Sequence, residues 1–287
     1  MSLSRSTRET LTAVCDALVP PYDDRVLDMG VSERAEQLIA RLPDPADRTR
    51  LSLLLHALGS RVASLVGIGR LSRFHRLPRG DRERILASWA TAPLQLPRTG
   101  FQALKRLVYV AHYCWPGPDG SHPAWETAGY SGPLPQPDTG VPPHDAESVE
   151  RDTTIDCDVV VIGSGAGGGV VAGVLAGAGR DVVVLEQGPN PGAKDMTQIE
   201  GDMLDSLYLD GGLMMTQSGS MPVLAGGCVG GGTVINYTTS FELPDSIREQ
   251  WDRISGLKVF SEASFGDAVK RVSERIGVNI DSTPGTR

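Results

Sequence analysis

The sequence predicts an α/β chain in which an all-α domain precedes a strand–turn–helix–strand unit. Three observations carry this. Apolar residues recur at helical spacing through roughly the first 115 positions. A proline-rich stretch then interrupts the pattern at 131–154. Finally, four consecutive aliphatic residues at 159–162 lead directly into a glycine-rich turn.

The helical part comes first. Leu11, Val14, Cys15 and Leu18 follow the i, i+3, i+4, i+7 spacing of one buried helix face. Pro20-Pro21 stops that helix, because proline lacks the amide hydrogen and obstructs the preceding turn. Leu51, Leu54, Leu55 and Leu58 repeat the spacing. A further helix carries Ile85, Leu86 and Trp89, and another carries Phe101, Leu104, Val108 and Ala111. Residues 113–130, with Trp115 and Trp125, are expected to be loop-rich. The expected organisation is a helical domain at 1–130, a linker at 131–154 and a second domain at 155–287. The linker holds five prolines and lacks apolar periodicity, so it cannot bury enough surface to fold alone.

From residue 155 the pattern is strand, glycine turn, helix, strand. Val159, Val160, Val161 and Ile162 form a continuous apolar run, as in a strand buried on both faces. Gly163, Gly165 and Gly168 then supply a G-x-G-x-x-G turn. Such a turn needs its first glycine for a tight bend and its second for close approach to a pyrophosphate. The third allows tight helix–strand packing. The helix beginning near Ala166 points free amides and its positive dipole end at the phosphates. Val182 to Leu185 form the second strand, and Glu186 ends it, 23 residues beyond Gly163. An acid there accepts hydrogen bonds from ribose hydroxyls and disfavours a ribose 2′-phosphate. Strand, turn, helix and acid together predict a Rossmann-like dinucleotide site, and leave FAD and NAD equally open.

A second glycine cluster follows. Residues 226–232, GGCVGGG, hold five glycines in seven positions, and the strand-like run Thr-Val-Ile-Asn comes next. Glycine costs backbone entropy wherever it sits, so such a cluster marks a close approach of backbone to something. An NAD-type domain has no need of it, whereas a longer flavin nucleotide does.

Paired with the first turn, VGGGTVIN resembles the glucose–methanol–choline (GMC) oxidoreductase family. Gly230, Gly231, Gly232, Thr233 and Asn236 fill the places of that family's first signature, with Gly227 a departure from its usual residue. The runs at 196–215 and 238–251 are similar to the long-chain fatty alcohol oxidase branch. The resemblance implies FAD as cofactor and an apolar alcohol as substrate. Hydride would pass to the flavin while a base takes the hydroxyl proton. It further implies that Gly163 to Ala166 hold the pyrophosphate and Glu186 the adenosine ribose. The stretch from Gly231 to Asn236 would line the flavin ring. The alternatives are an NAD-dependent dehydrogenase, a non-catalytic nucleotide-binding remnant and a steroid-oxidising relative.

Other features narrow the function. A net charge of −8 argues against a general nucleic-acid surface. The first residues lack the continuous apolar core of a secretory signal, and the most apolar stretch, 53–69, contains His56 and Arg61, so no transmembrane segment is expected. Cys15, Cys114, Cys157 and Cys228 lie too far apart to suggest a disulfide framework or a zinc site, and a cytoplasmic location is expected. The family's catalytic histidine lies far toward the carboxyl end. Here the histidines are His56, His75, His112, His122 and His144, all before residue 155, so no catalytic base is assigned. A chain truncated before that histidine is the expectation, with an unfinished parallel sheet.

Overall fold

In the computed structural model the described residues are 3–20, 29–135, 146–216 and 221–279. They fall into two units, Met1–Ile235 and Asn236–Arg287.

Local capping sets the helical start of the first unit. Ser4 accepts the Thr7 amide at 3.2 Å and opens α1 (Arg5–Leu18), which ends just before the prolines. Helix α2 (Val31–Arg41) follows. Asp44 accepts the Ala46 amide at 2.8 Å and, with Pro45 in the first turn, opens α3 (Pro45–Leu58). Ser60 caps α4 (Arg61–Ile68), which Gly69 closes in the left-handed conformation at φ 71°. Helices α5 (Arg79–Ala90) and α6 (Gln95–Tyr113) complete the bundle. Leu11, Val14, Leu55, Leu58, Ile85, Leu86, Leu104 and Val108 are buried in one core around Phe74. Each fully buried aliphatic side chain contributes about 1.5–3 kcal/mol. The apolar spacing therefore places the core correctly, with Leu18, Leu54, Trp89 and Phe101 packed at its margin.

Residues 113–130 hold more order than expected. His122 accepts the Ala124 amide through Nδ1 at 3.1 Å and opens α7 (Pro123–Ala128). Its Nε2–H therefore donates to the His112 carbonyl at 2.8 Å, and its ring stacks on Trp125. Of the linker, residues 136–145, including His144, lie outside the described residues.

Strand β1 (Val159–Ile162), helix α8 (Ala166–Gly177) and strand β2 (Val182–Leu185) form the βαβ unit. The strands pair in parallel, with Val159 opposite Val182 and Ile162 opposite Leu185. Burial corrects one expectation. Val161 is buried, but Val160 and Ile162 are 52% and 87% exposed, so β1 is not covered on both faces. Helix α8 packs against the strands, and the sheet has two strands among the described residues. Beyond it, α9 (Glu200–Leu207) docks on the helical bundle. Gly201 donates to the Cys114 carbonyl at 2.8 Å, Trp115 Nε1 donates to Asp202 at 2.9 Å, and Arg41 pairs with Asp205.

The Thr-Val-Ile run is also corrected: residues 232–235 form a single helical turn, α10 (Gly232–Ile235), rather than a strand. The Val234 amide donates back to the Gly231 carbonyl at 3.1 Å, and the positive φ at Gly230 and Gly231 bends the chain into that turn. No single helix among the described residues is long and apolar enough to cross a membrane.

In the second unit, α11 (Asp245–Ser255) and α12 (Ala263–Arg275) meet through the aromatic residues Trp251, Phe260 and Phe265. Asp252 holds the connection by accepting the Phe260 and Ser261 amides at 2.9 and 3.0 Å.

Candidate functional site

The carboxyl ends of β1 and β2 hold the site. Gly163 leaves β1 at φ 88°, a bend that a side chain would strain, and its amide donates to the Leu185 carbonyl at 2.8 Å. A Cβ on Gly168 would run into the Gly163 carbonyl, so this glycine lets α8 sit directly on the turn. Gly165 precedes α8 without any side-chain cap, while Ala166 and Gly167 are exposed. The first-turn amides of α8 thus receive no side-chain cap and stand at the positive end of the helix dipole.

Glu186 closes this turn. Its Oε2 accepts the Ser164 amide at 2.9 Å and the Ser164 hydroxyl at 2.8 Å, and its Oε1 accepts the Gly188 amide at 3.0 Å. These amides, Ser164 first, hold the carboxyl below its usual range and keep it ionised.

The second glycine cluster lies against the first. Ser164 Oγ, while donating to Glu186, accepts the Gly230 amide at 2.9 Å. A Cβ on Gly231 would stand 2.9 Å from the Gly165 Cα, and one on Gly188 would run into the Gly227 backbone. Val229 donates to the Pro189 carbonyl at 2.9 Å. Upstream, Leu209 donates to the Ala225 carbonyl at 2.9 Å and Gly227 to the Leu207 carbonyl at 2.8 Å. The glycines therefore serve first to let backbone lie on backbone. Cys228 is enclosed here at 1% exposure, and burial, followed by the Glu186 charge, pushes its thiol pKa up. That leaves it a poor nucleophile.

Gly163, Gly165, Ala166, Gly168, Glu186, Gly230 and Gly231 are thus brought together, with Gly232 and Thr233 opening the exposed turn α10 beside them. Asn236 belongs to the other unit, where its Oδ1 accepts the Thr238 amide at 2.7 Å. Sequence reasoning missed Ser164, the variable position of the G-x-G-x-x-G turn. A hydroxyl between two glycines was the available signal.

The histidines sit elsewhere. His112 and His122 are buried side by side in the helical part, and burial pushes the His112 pKa down to about 4. His75 lies 3.6 Å from Glu9, and His56 is exposed on α3.

Residues 204–286 match the family model described as GMC oxidoreductase. Long-chain-alcohol oxidase FAO1 of Arabidopsis thaliana is 28% identical over 96% of the chain and 45% of its own length. Long-chain-alcohol oxidase FAO4A of the same plant is 29% identical over 94% of the chain and 47% of its own length. A third, FAO3, is 31% identical over 79% and 36%. The chain thus spans less than half the length of these relatives. No solved structure matches it. Through the matched domain and these relatives, the chain belongs to the GMC oxidoreductase family and corresponds to the amino-terminal portion of its long-chain-alcohol oxidases.

Proposed function

We propose that this chain binds FAD and forms the nucleotide-binding part of an oxidase or dehydrogenase that acts on the CH–OH group of a long-chain alcohol. One observation carries the reading: the second glycine segment is seated on the first through the Gly231–Gly165 approach and the Gly230–Ser164 hydrogen bond. An NAD-type dinucleotide site needs only the first turn.

The residues present fit the group. The first-turn amides of α8, with Gly163, Gly165 and Gly168 shaping their approach, would hold the pyrophosphate. Glu186 is ionised and would accept a ribose hydroxyl. By the family resemblance, the stretch from Gly231 to Asn236 would line the flavin ring and its ribityl chain, with Gly230 beside it. Bound there, the flavin supplies a two-electron acceptor for hydride from the alcohol carbon. The hydroxyl proton needs a separate base, and none is assigned to a residue of this chain. Residues 1–130 act as a helical support, 131–154 as the connection and 155–287 as the amino-terminal part of the FAD domain.

The test is a visible absorption spectrum of the purified chain, followed by titration with FAD and readout of flavin fluorescence quenching. A bound flavin, or saturable quenching by added FAD, supports the reading. Binding of NAD with no response to FAD overturns it in favour of a nicotinamide enzyme.

A further inference from the structure

Trp115 lies at the end of the helical bundle, just beyond α6, and far from the glycine turns in sequence. Its indole is held by two elements. The Arg34 guanidinium of α2 lies over the ring, 5.5 Å from its centroid. Gly201 abuts the indole so closely that any Cβ there would collide with it. The indole N–H donates to Asp202 at 2.9 Å, and the neighbouring Cys114 carbonyl accepts the Gly201 amide at 2.8 Å. Two residues of α9 are thereby fixed to the bundle, and the Arg41–Asp205 pair adds a third point one turn further on.

The carboxyl end of α9 leads directly into the glycine segment. Leu207 is buried at 6% exposure and its carbonyl accepts the Gly227 amide at 2.8 Å. Tyr208 bridges Gly226 in antiparallel fashion. From Gly227 only three residues remain to Gly230, whose amide bonds Ser164 in the first turn. Hydrogen bonds at both ends of α9, with the short run from Gly227 to Gly230, therefore join the Trp115 indole to the first glycine turn.

We infer that Trp115 is a positioning residue: through α9 it sets where the second glycine segment rests on the first turn, and so makes the helical domain part of the nucleotide site. This rests on the FAD reading for its functional meaning, but the positioning itself is testable without nucleotide.

The experiment compares the full chain with Trp115→Phe, Asp202→Ala and Asp202→Asn by hydrogen exchange at the 226–231 amides in the absence of FAD. FAD affinity and melting temperature are measured in parallel. Trp115→Phe keeps the aromatic faces and loses the N–H, while Asp202→Ala loses the acceptor without substituting any residue of the bundle. Both should raise exchange at 226–231 by about tenfold, the scale of one hydrogen bond to a charged group, and weaken FAD binding by a similar factor. Asp202→Asn keeps an oxygen acceptor but loses the charge, and should fall between the parent and Asp202→Ala. Unchanged exchange at 226–231 in both Trp115→Phe and Asp202→Ala overturns the inference. So does a change that merely follows a fall in global stability, with Asp202→Asn as impaired as Asp202→Ala. If the parent chain binds no FAD, the flavin reading fails, and the exchange pattern still decides the role of Trp115.

Discussion

Gly231 rests on Gly165: a single Cβ on Gly231 would stand 2.9 Å from the Gly165 Cα, in a residue already at φ 56°. Neither partner has a flexible end that could yield. Gly231→Ala should therefore lift the second glycine segment off the first turn and weaken FAD binding at least tenfold. The left-handed backbone adds about 1–2 kcal/mol of destabilisation. Gly173→Ala is the control, because nothing lies within 4 Å of its Cβ position, its φ is not positive and it sits along α8 away from the turn. Flavin titration and thermal melts of the two variants check the contrast.

Ser164 joins three parts of the site with one side chain. Ser164→Ala leaves the Gly230 amide without its acceptor and removes one donor from Glu186. A loss of about 1–3 kcal/mol is expected, together with a rise of the Glu186 pKa toward the usual carboxylate value. Denaturant unfolding reads the first, and titration of the Glu186 carboxyl by carbon-detected NMR reads the second.

The first turn makes a sharp distinction between adjacent glycines. Gly168→Ala forces a methyl into the Gly163 carbonyl, and the resulting overpacking costs at least about 1–3 kcal/mol. Gly167→Ala meets nothing within 4 Å and should be neutral or stabilising by roughly 0.5–1 kcal/mol, the usual helix gain. Urea midpoints of the two single variants measure the difference directly.

His112 should govern the first loss of stability in mild acid. It is fully buried, and burial, then His122 and Arg34, lowers its pKa to about 4 from an ordinary value near 6.5. Below about 6.5 the unfolded chain takes up the proton first. Stability therefore falls as pH drops from that value to about 4, by a total on the order of 3 kcal/mol. The depressed carboxyls of Glu186 and Glu36 act lower: their contribution, present above the ordinary value of 4.5, is lost as pH falls through their folded values. Urea midpoints between pH 7.5 and 4.5 should thus slope for the parent chain and flatten in His112→Asn.

Much of this arrangement is legible in the sequence where it follows from local physics. Leu51, Leu55 and Leu58 announce one face of α3, and their burial follows from that spacing. Gly163, Gly165 and Gly168 announce a turn that only small residues allow, and all three sit as the G-x-G-x-x-G geometry requires. What the sequence hides is non-local. Val234 and Ile235 favour strands by side-chain shape, yet two consecutive glycines with positive φ just before them turn the chain into a helical turn. The exposure of Val160 depends on what lies against the sheet, and an aliphatic run cannot report that. The bond between Trp115 and Asp202 spans 87 positions, and neither residue stands out in its own neighbourhood.

The second glycine segment takes its shape from distant partners: Ser164 is 66 positions from Gly230, and Pro189 on one stretch and Leu207 with Leu209 on another also precede the segment. Chain-closure entropy has to be met before any of these bonds forms, as it does in the bundle, where α1 meets α5 and α2 meets α6 across comparably long stretches. Competence to hold a nucleotide therefore depends on several distant stretches closing together, and a substitution in any one of them should loosen the whole second segment rather than a single bond.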